Sequence, residues 1–200
     1  NAEAPVVMEH RRTDQAHMCL AFPGVSFNDP RRYAVSLINT IIGEGQASRL
    51  FTEIREKSGL AYEVSSSASF YRDCGSVIMY CGVNPSKAKD ALHGMLLELD
   101  KLQMKITQKE LKRAVDYTKG RMLLRLEDSG EVMSSLGRQA TLSGKLLTPQ
   151  ETIQHLEEVT IDEIQHAAES LLNYENYRLS IVGPNKSAIR FLTDLRYSRR

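Results

Sequence analysis

The sequence predicts an α+β domain, an antiparallel β-sheet with helices packed on one face, and three observations support that class. Apolar residues alternate over 17–22, 61–70 and 75–83, the pattern turns helical from Pro85 onward, and a last strand pattern returns at 177–182 ahead of Gly183-Pro184. Strands segregated from helices in this way fit an antiparallel sheet better than alternating βαβ units.

Taken in order, Met18, Leu20 and Phe22 alternate with His17, Cys19 and Ala21, which suits a half-buried strand that ends at the Pro23-Gly24 turn. Asn28-Asp29-Pro30 signals a helix start, since an Asx side chain caps and proline takes the first turn without losing a needed donor. Ala34, Leu37, Ile38 and Ile41 form the stripe of that helix, and Gly43 and Gly45 end it. A second, short helix begins near Ser48, turns Leu50, Phe51 and Ile54 inward, and stops at Gly59.

Over 61–70, Tyr62, Val64, Ser66, Ala68 and Phe70 share one face; Val77, Met79, Cys81 and Val83 answer them across a hairpin loop at 71–74. In the helical stretch, Thr107/Glu110, Thr148/Glu151 and Thr160/Glu163 each fit the capping box, in which hydroxyl and carboxylate satisfy each other's exposed backbone donors. Leu111, Val115, Thr118, Met122 and Leu126 line a long helix, and Ile161, Ile164, Ala168 and Leu171 a shorter one. With no repeat, low-complexity tract or internal linker, residues 1–200 read as a single domain.

Composition narrows the function. The 200 residues are 42% hydrophobic, enough to bury roughly 70% of the unfolded surface without metal or disulfide staples. Lys and Arg number 26 against 25 Asp and Glu, a net charge of +1, so no field is present to hold nucleic acid or an anionic membrane. No apolar run approaches the ~20 residues of a membrane span, and the first residues lack the apolar segment of a signal peptide. Cys19, Cys74 and Cys81 form neither a CxxC pair nor an even set, which fits a reducing, cytoplasmic setting. The chain starts at Asn1 rather than Met, so it reads as a piece of something longer, and a targeting segment ahead of it would direct it to mitochondria or another compartment.

Histidines at 10, 17, 93, 155 and 166 match neither HExxH nor HxxEH, so no metal site is read in this chain. His155 and His166 fall on neighbouring helices and read as surface residues. Gly43-Glu44-Gly45-Gln46 lacks the third glycine and the lysine of a phosphate cradle, and follows a helix rather than a strand; it reads as a helix stop and tight turn.

The continuous stretch from Gly45 to Tyr62 is more specific. It holds a small-residue turn before Ser48-Arg49-Leu50-Phe51, the run Ile54-Arg55-Glu56-Lys57, and Gly59-Leu60-Ala61-Tyr62 entering a strand; the turn at 71–75 follows. On these residues the chain resembles the C-terminal half of a subunit of the pitrilysin/insulinase-type zinc metallopeptidases, the inverzincins, which include the mitochondrial processing peptidase. The similarity runs through the opening strand and helix, the helix entry at 106–111 and the Val182-Gly183-Pro184 ending.

Each subunit of that family has two homologous α+β halves. The N-terminal half binds zinc through HxxEH and a distal glutamate; the C-terminal half closes over the substrate and lends an arginine and a tyrosine. The resemblance thus implies Arg55 and Tyr62 as catalytic residues, with Phe51, one turn before the arginine, as a substrate contact. A guanidinium fork can hold a substrate carbonyl or carboxylate, and a tyrosine hydroxyl can donate to a tetrahedral oxyanion. From residue type alone, Arg55 could equally pair with Glu53 or Glu56, and Tyr62 could be a core residue.

The resemblance also implies zinc in the parent enzyme, held by the N-terminal half and not by this chain. That half is joined covalently or is a separate subunit. A peptide or unfolded polypeptide is the implied substrate, with homo- or heterodimers as the implied assembly. The alternative reading is a non-catalytic partner or scaffold subunit, since members without the zinc motif serve as such. Retention of both Arg55 and Tyr62 favours the enzyme.

Overall fold

A computed structural model describes residues 6–172 and 176–184. Five strands, β1 (Val6–His10), β2 (Ala16–Gly24), β3 (Ala61–Phe70), β4 (Gly75–Val83) and β5 (Arg178–Gly183), form one sheet in the order β1-β5-β2-β4-β3. The helices are α1 (Arg32–Gly43), α2 (Ala88–Met104), α3 (Gln108–Arg125), α4 (Ser129–Leu142), α5 (Pro149–Glu157) and α6 (Ile161–Leu171). The α+β class and the one-sided layering hold. Met18, Leu20 and Phe22 of β2, Val77, Met79 and Cys81 of β4, and Leu179 and Ile181 of β5 are buried in the core with the inner stripes of α1, α2 and α6. Each such side chain contributes about 1.5–3 kcal/mol on leaving water. Burial also pushes the Cys81 thiol up to about 12, so this cysteine packs as an inert apolar residue. On the opposite sheet face His17 and Tyr80 meet, Nδ1 to Oη 2.8 Å.

Four details differ from the sequence reading. The sheet is mixed: β1, which shows no alternation, pairs in parallel with β5, while β5, β2, β4 and β3 run antiparallel. β2 continues through Pro23 to Gly24, paired with Ser76 and Gly75 of β4. The β5 pairing ends at Ala21, so the far flank of Pro23 is open and its missing N–H forfeits no ladder bond there. Leu126 lies just past the end of α3, and a separate α4 begins where Asp128 accepts the N–H groups of Gly130 and Glu131 at 2.7 and 3.1 Å. Tyr62 does not share the face of Val64: the register slips between Ala61 and Glu63, leaving Tyr62 as the extra residue of a β-bulge.

All three capping boxes form. The Thr107, Thr148 and Thr160 amides donate to the carboxylates of Glu110, Glu151 and Glu163 at 2.9, 2.7 and 2.8 Å, and each threonine hydroxyl accepts in return. α1 lies close on β3 at Gly43, where a Cβ would meet Ser66, and the Ser66 hydroxyl donates to Asn39, its Oγ 2.9 Å from the backbone oxygen and 2.7 Å from Oδ1.

Candidate functional site

The stretch from Gly45 to Tyr62 is built from its anchors outward. Gly45 takes φ +86°, a left-handed turn that brings the buried Ser48 back, its hydroxyl donating to the Gly45 carbonyl at 2.7 Å. Helix starts at Arg49 and widens into a π-helical segment, Phe51–Lys57, closed by the Ser58 amide on the Glu53 carbonyl at 3.1 Å. Leu50 and Ile54, one turn apart, are buried and fix its inner face. Arg49 ties the segment to the start of α3, with Nε 2.7 Å from Glu110 Oε1 and Nη2 2.8 Å from the Lys105 carbonyl. Burial opposes ionisation of Glu110, but the hydrogen bonds from Arg49 and Thr107 outweigh it and hold the carboxyl below its ordinary value.

On this frame Phe51 is half-buried and Arg55 exposed, the guanidinium lying 4.9 Å from the Phe51 ring centroid. Such a contact contributes roughly 0.5–1 kcal/mol at an exposed site and restricts where the cation points. Glu53 is engaged by Lys57, Nζ to Oε1 2.6 Å, and among the described residues no carboxylate pairs with Arg55. Tyr62 is 57% exposed, which removes the core reading of this residue, and its hydroxyl bonds to no described residue. The structure brings Phe51 and Arg55 into contact; Tyr62 stands one loop away and stacks on neither.

That loop is held at both ends. The Leu60 amide donates to the Ile54 carbonyl at 2.9 Å, Gly59 adopts φ +55°, and Lys87 Nζ reaches the Gly59 carbonyl at 3.0 Å. Gly59→Ala places a side chain in the left-handed region and is expected to cost about 1–2 kcal/mol. No atom of the described residues crowds a Cβ there, so the effect is one of backbone conformation; an unchanged melting midpoint would contradict it. Lys87, Arg49 and Glu110 hold this segment in place through contacts that sequence reasoning missed. Their partners lie 28 to 61 residues away with no periodic signal to connect them.

His155 and His166 do lie on neighbouring helices, along one surface cleft between α1, α5 and α6. His155 stacks on Tyr33 at 4.9 Å between centroids, and His166 Nδ1 lies 2.7 Å from the Asp162 carbonyl. Among the described residues no group of three or more His, Cys, Asp or Glu is placed to hold a metal ion, so the donor set does not fit zinc.

Compared with known families, residues 1–117 match the model described as the peptidase M16 inactive domain. The chain belongs to this family. Its relatives include an uncharacterized zinc protease of Streptomyces coelicolor, 38% identical and aligned over 88% of this chain and 38% of that protein. Another is the uncharacterized zinc protease YmxG of Bacillus subtilis, 34% identical over 88% of this chain and 43% of its own length. The M16 inactive domain thus spans about two fifths of these curated relatives. Among solved structures, a peptidase M16 inactive domain from Pseudomonas fluorescens superposes with a TM-score of 0.82 at 24% identity, covering 91% of this chain and 44% of that one. A chain of complex III from Candida albicans gives 0.83 at 18% identity, over 95% and 49%. At these identities the likeness establishes the fold.

Proposed function

We propose that this M16 inactive domain is the substrate-closing half of a zinc metalloendopeptidase acting on peptides or unfolded polypeptides. In this reading the zinc is held by the other half, covalently joined or separate, and the present chain supplies hydrogen-bond donors. Arg55 holds a substrate carbonyl or carboxylate through its fork of N–H groups, Phe51 steadies it and offers an apolar contact, and Tyr62 donates its hydroxyl to the oxyanion formed on the scissile carbonyl. The observation that carries the reading is the arginine itself: it stacks on Phe51, no described carboxylate neutralises it, and an exposed, unbonded tyrosine hydroxyl stands one loop away. A scaffold has no chemical need of that arrangement. Pairing of subunits and a reducing, cytoplasmic setting belong to the same reading, the latter supported by three free cysteines. No described helix is long and apolar enough to cross a membrane.

The second reading, a non-catalytic partner or scaffold subunit, draws on the fold shared with the complex III chain. One measurement tests the half-enzyme account and a second separates the two readings. The chain alone is expected to bind no stoichiometric zinc and to cleave no peptide; one tight zinc per chain by metal analysis would overturn the half-enzyme account. Mixed with, or encoded together with, a half bearing HxxEH, it is expected to raise peptide cleavage above that of the zinc-binding half alone, and no gain would leave the scaffold reading standing.

A further inference from the structure

A second concavity, independent of the Arg55 and Tyr62 site, opens between α1, β3, α5 and the α3–α4 hairpin, with a volume of about 570 Å³. That is within the roughly 300–1,000 Å³ of small-molecule sites. Its wall is apolar at Phe70, Met122 and Leu136, yet four arginines line it, Arg32, Arg121, Arg125 and Arg138, against the two carboxylates of Glu44 and Glu131.

Among the described residues, one of the four is neutralised. Arg121 pairs with Glu44, whose other oxygen accepts from Asn39 Nδ2 at 3.1 Å and Thr40 Oγ1 at 3.2 Å, closing that network. Arg32 is clamped: its guanidinium lies 4.5 Å from the Phe27 centroid and 4.6 Å from that of Tyr33, and it donates to the Phe27 carbonyl and, at 2.6 Å, to the Tyr33 hydroxyl. No carboxylate among the described residues pairs with Arg32, Arg125 or Arg138. A guanidinium held rigidly in this way, with no carboxylate beside it, is placed to receive an anionic group through its fixed fork of donors. The helix α4, which lines one side of the cleft, buries none of its residues, so its apolar side chains facing that space gain contacts when it is filled.

We propose that this cleft binds an organic anion in which a carboxylate is carried on an apolar body, the carboxylate meeting the arginines and the body lying against Phe70, Met122 and Leu136. Both a free amphiphilic acid and the C-terminus of a peptide have this chemistry. Titration calorimetry of the chain with octanoate and with N-acetyl-leucylphenylalanine separates the two sources; the amide of that dipeptide and inorganic phosphate serve as controls. Saturable binding of either acid, weakened about tenfold by Arg125→Gln and by Arg138→Gln, upholds the site and names its source; tenfold is the scale of one charge-assisted hydrogen bond. Both arginines are exposed, so both variants should melt with the parent chain. No saturable binding of either acid, binding unaltered by both substitutions, or equal binding of amide or phosphate overturns it.

Discussion

Replacing Tyr62 with phenylalanine in an enzyme that carries both halves is expected to lower kcat by roughly 100–1000-fold, the scale for losing one oxyanion donor, and to leave the melting temperature where it was. The two halves of this expectation rest on different facts. The substitution removes one oxygen, and that oxygen bonds to no described residue, so folding loses nothing measurable; exposed substitutions of this kind stay within about 0.5 kcal/mol. An interaction made only in the transition state shows in kcat and in kcat/KM together, whereas one made equally with bound substrate shows in KM. Tyr62 as oxyanion donor therefore predicts a loss in kcat, and Arg55→Lys, which keeps the charge but gives up the planar fork, predicts a rise in KM. Activity of the Tyr62→Phe enzyme within twofold of the parent refutes the assigned role.

Gly43→Ala is expected to destabilise the chain by about 1–3 kcal/mol, the range for a group forced into filled space. A Cβ on Gly43 would lie 2.6 Å from the Ser66 amide nitrogen and 2.6 Å from its Oγ. The first of these is backbone of β3, so α1 must lift from the sheet or the strand must give way, and the Ser66 bonds to Asn39 lengthen in either case. Alanine is the better helix former by at most about 1 kcal/mol, which does not offset the clash. Thermal melts check this directly: a midpoint equal to or above that of the parent chain would mean that α1 and β3 are not in contact here.

Gly43 also marks where sequence reading runs out. As one of two glycines behind an apolar stripe it reads as a helix stop, and the turn it announces is real, with Gly45 in the left-handed region. What the sequence cannot display is that Gly43 is the last residue inside the helix and a contact point for a strand more than twenty positions on. The elements that were readable are those whose signal is local: the threonine–glutamate boxes, the alternation of β3 and β4, the stripe of α1. Those that escaped lack such a signal. β1 is five residues with an exposed Val7 and no alternation, and Asp128 is a single cap inside a run that otherwise reads as helix.

The site divides the same way. Phe51 and Arg55, four apart on one helical face, could be paired from spacing alone, and they do meet. The outward turn of Tyr62 depends on a slipped register that no alternation pattern reveals, because the pattern itself places Tyr62 with Val64. Likewise the competition for Glu53, which Lys57 wins over Arg55, is a matter of side-chain direction within a widened helix.

The strand order carries a consequence for how the chain comes together. Among the described residues β1 touches the sheet through β5 alone, with Val6 beside Leu179, so this strand has no partner until residues 178–183 have been synthesised. Until then β2 lacks its neighbour on that flank and β1 has no strand to pair with, a long-range closure that slows folding and leaves a nascent chain open to mispairing. Completion of the sheet therefore waits on residues 178–183, and a truncation before Arg178 removes two strands, one by deletion and one by leaving it nothing to pair with.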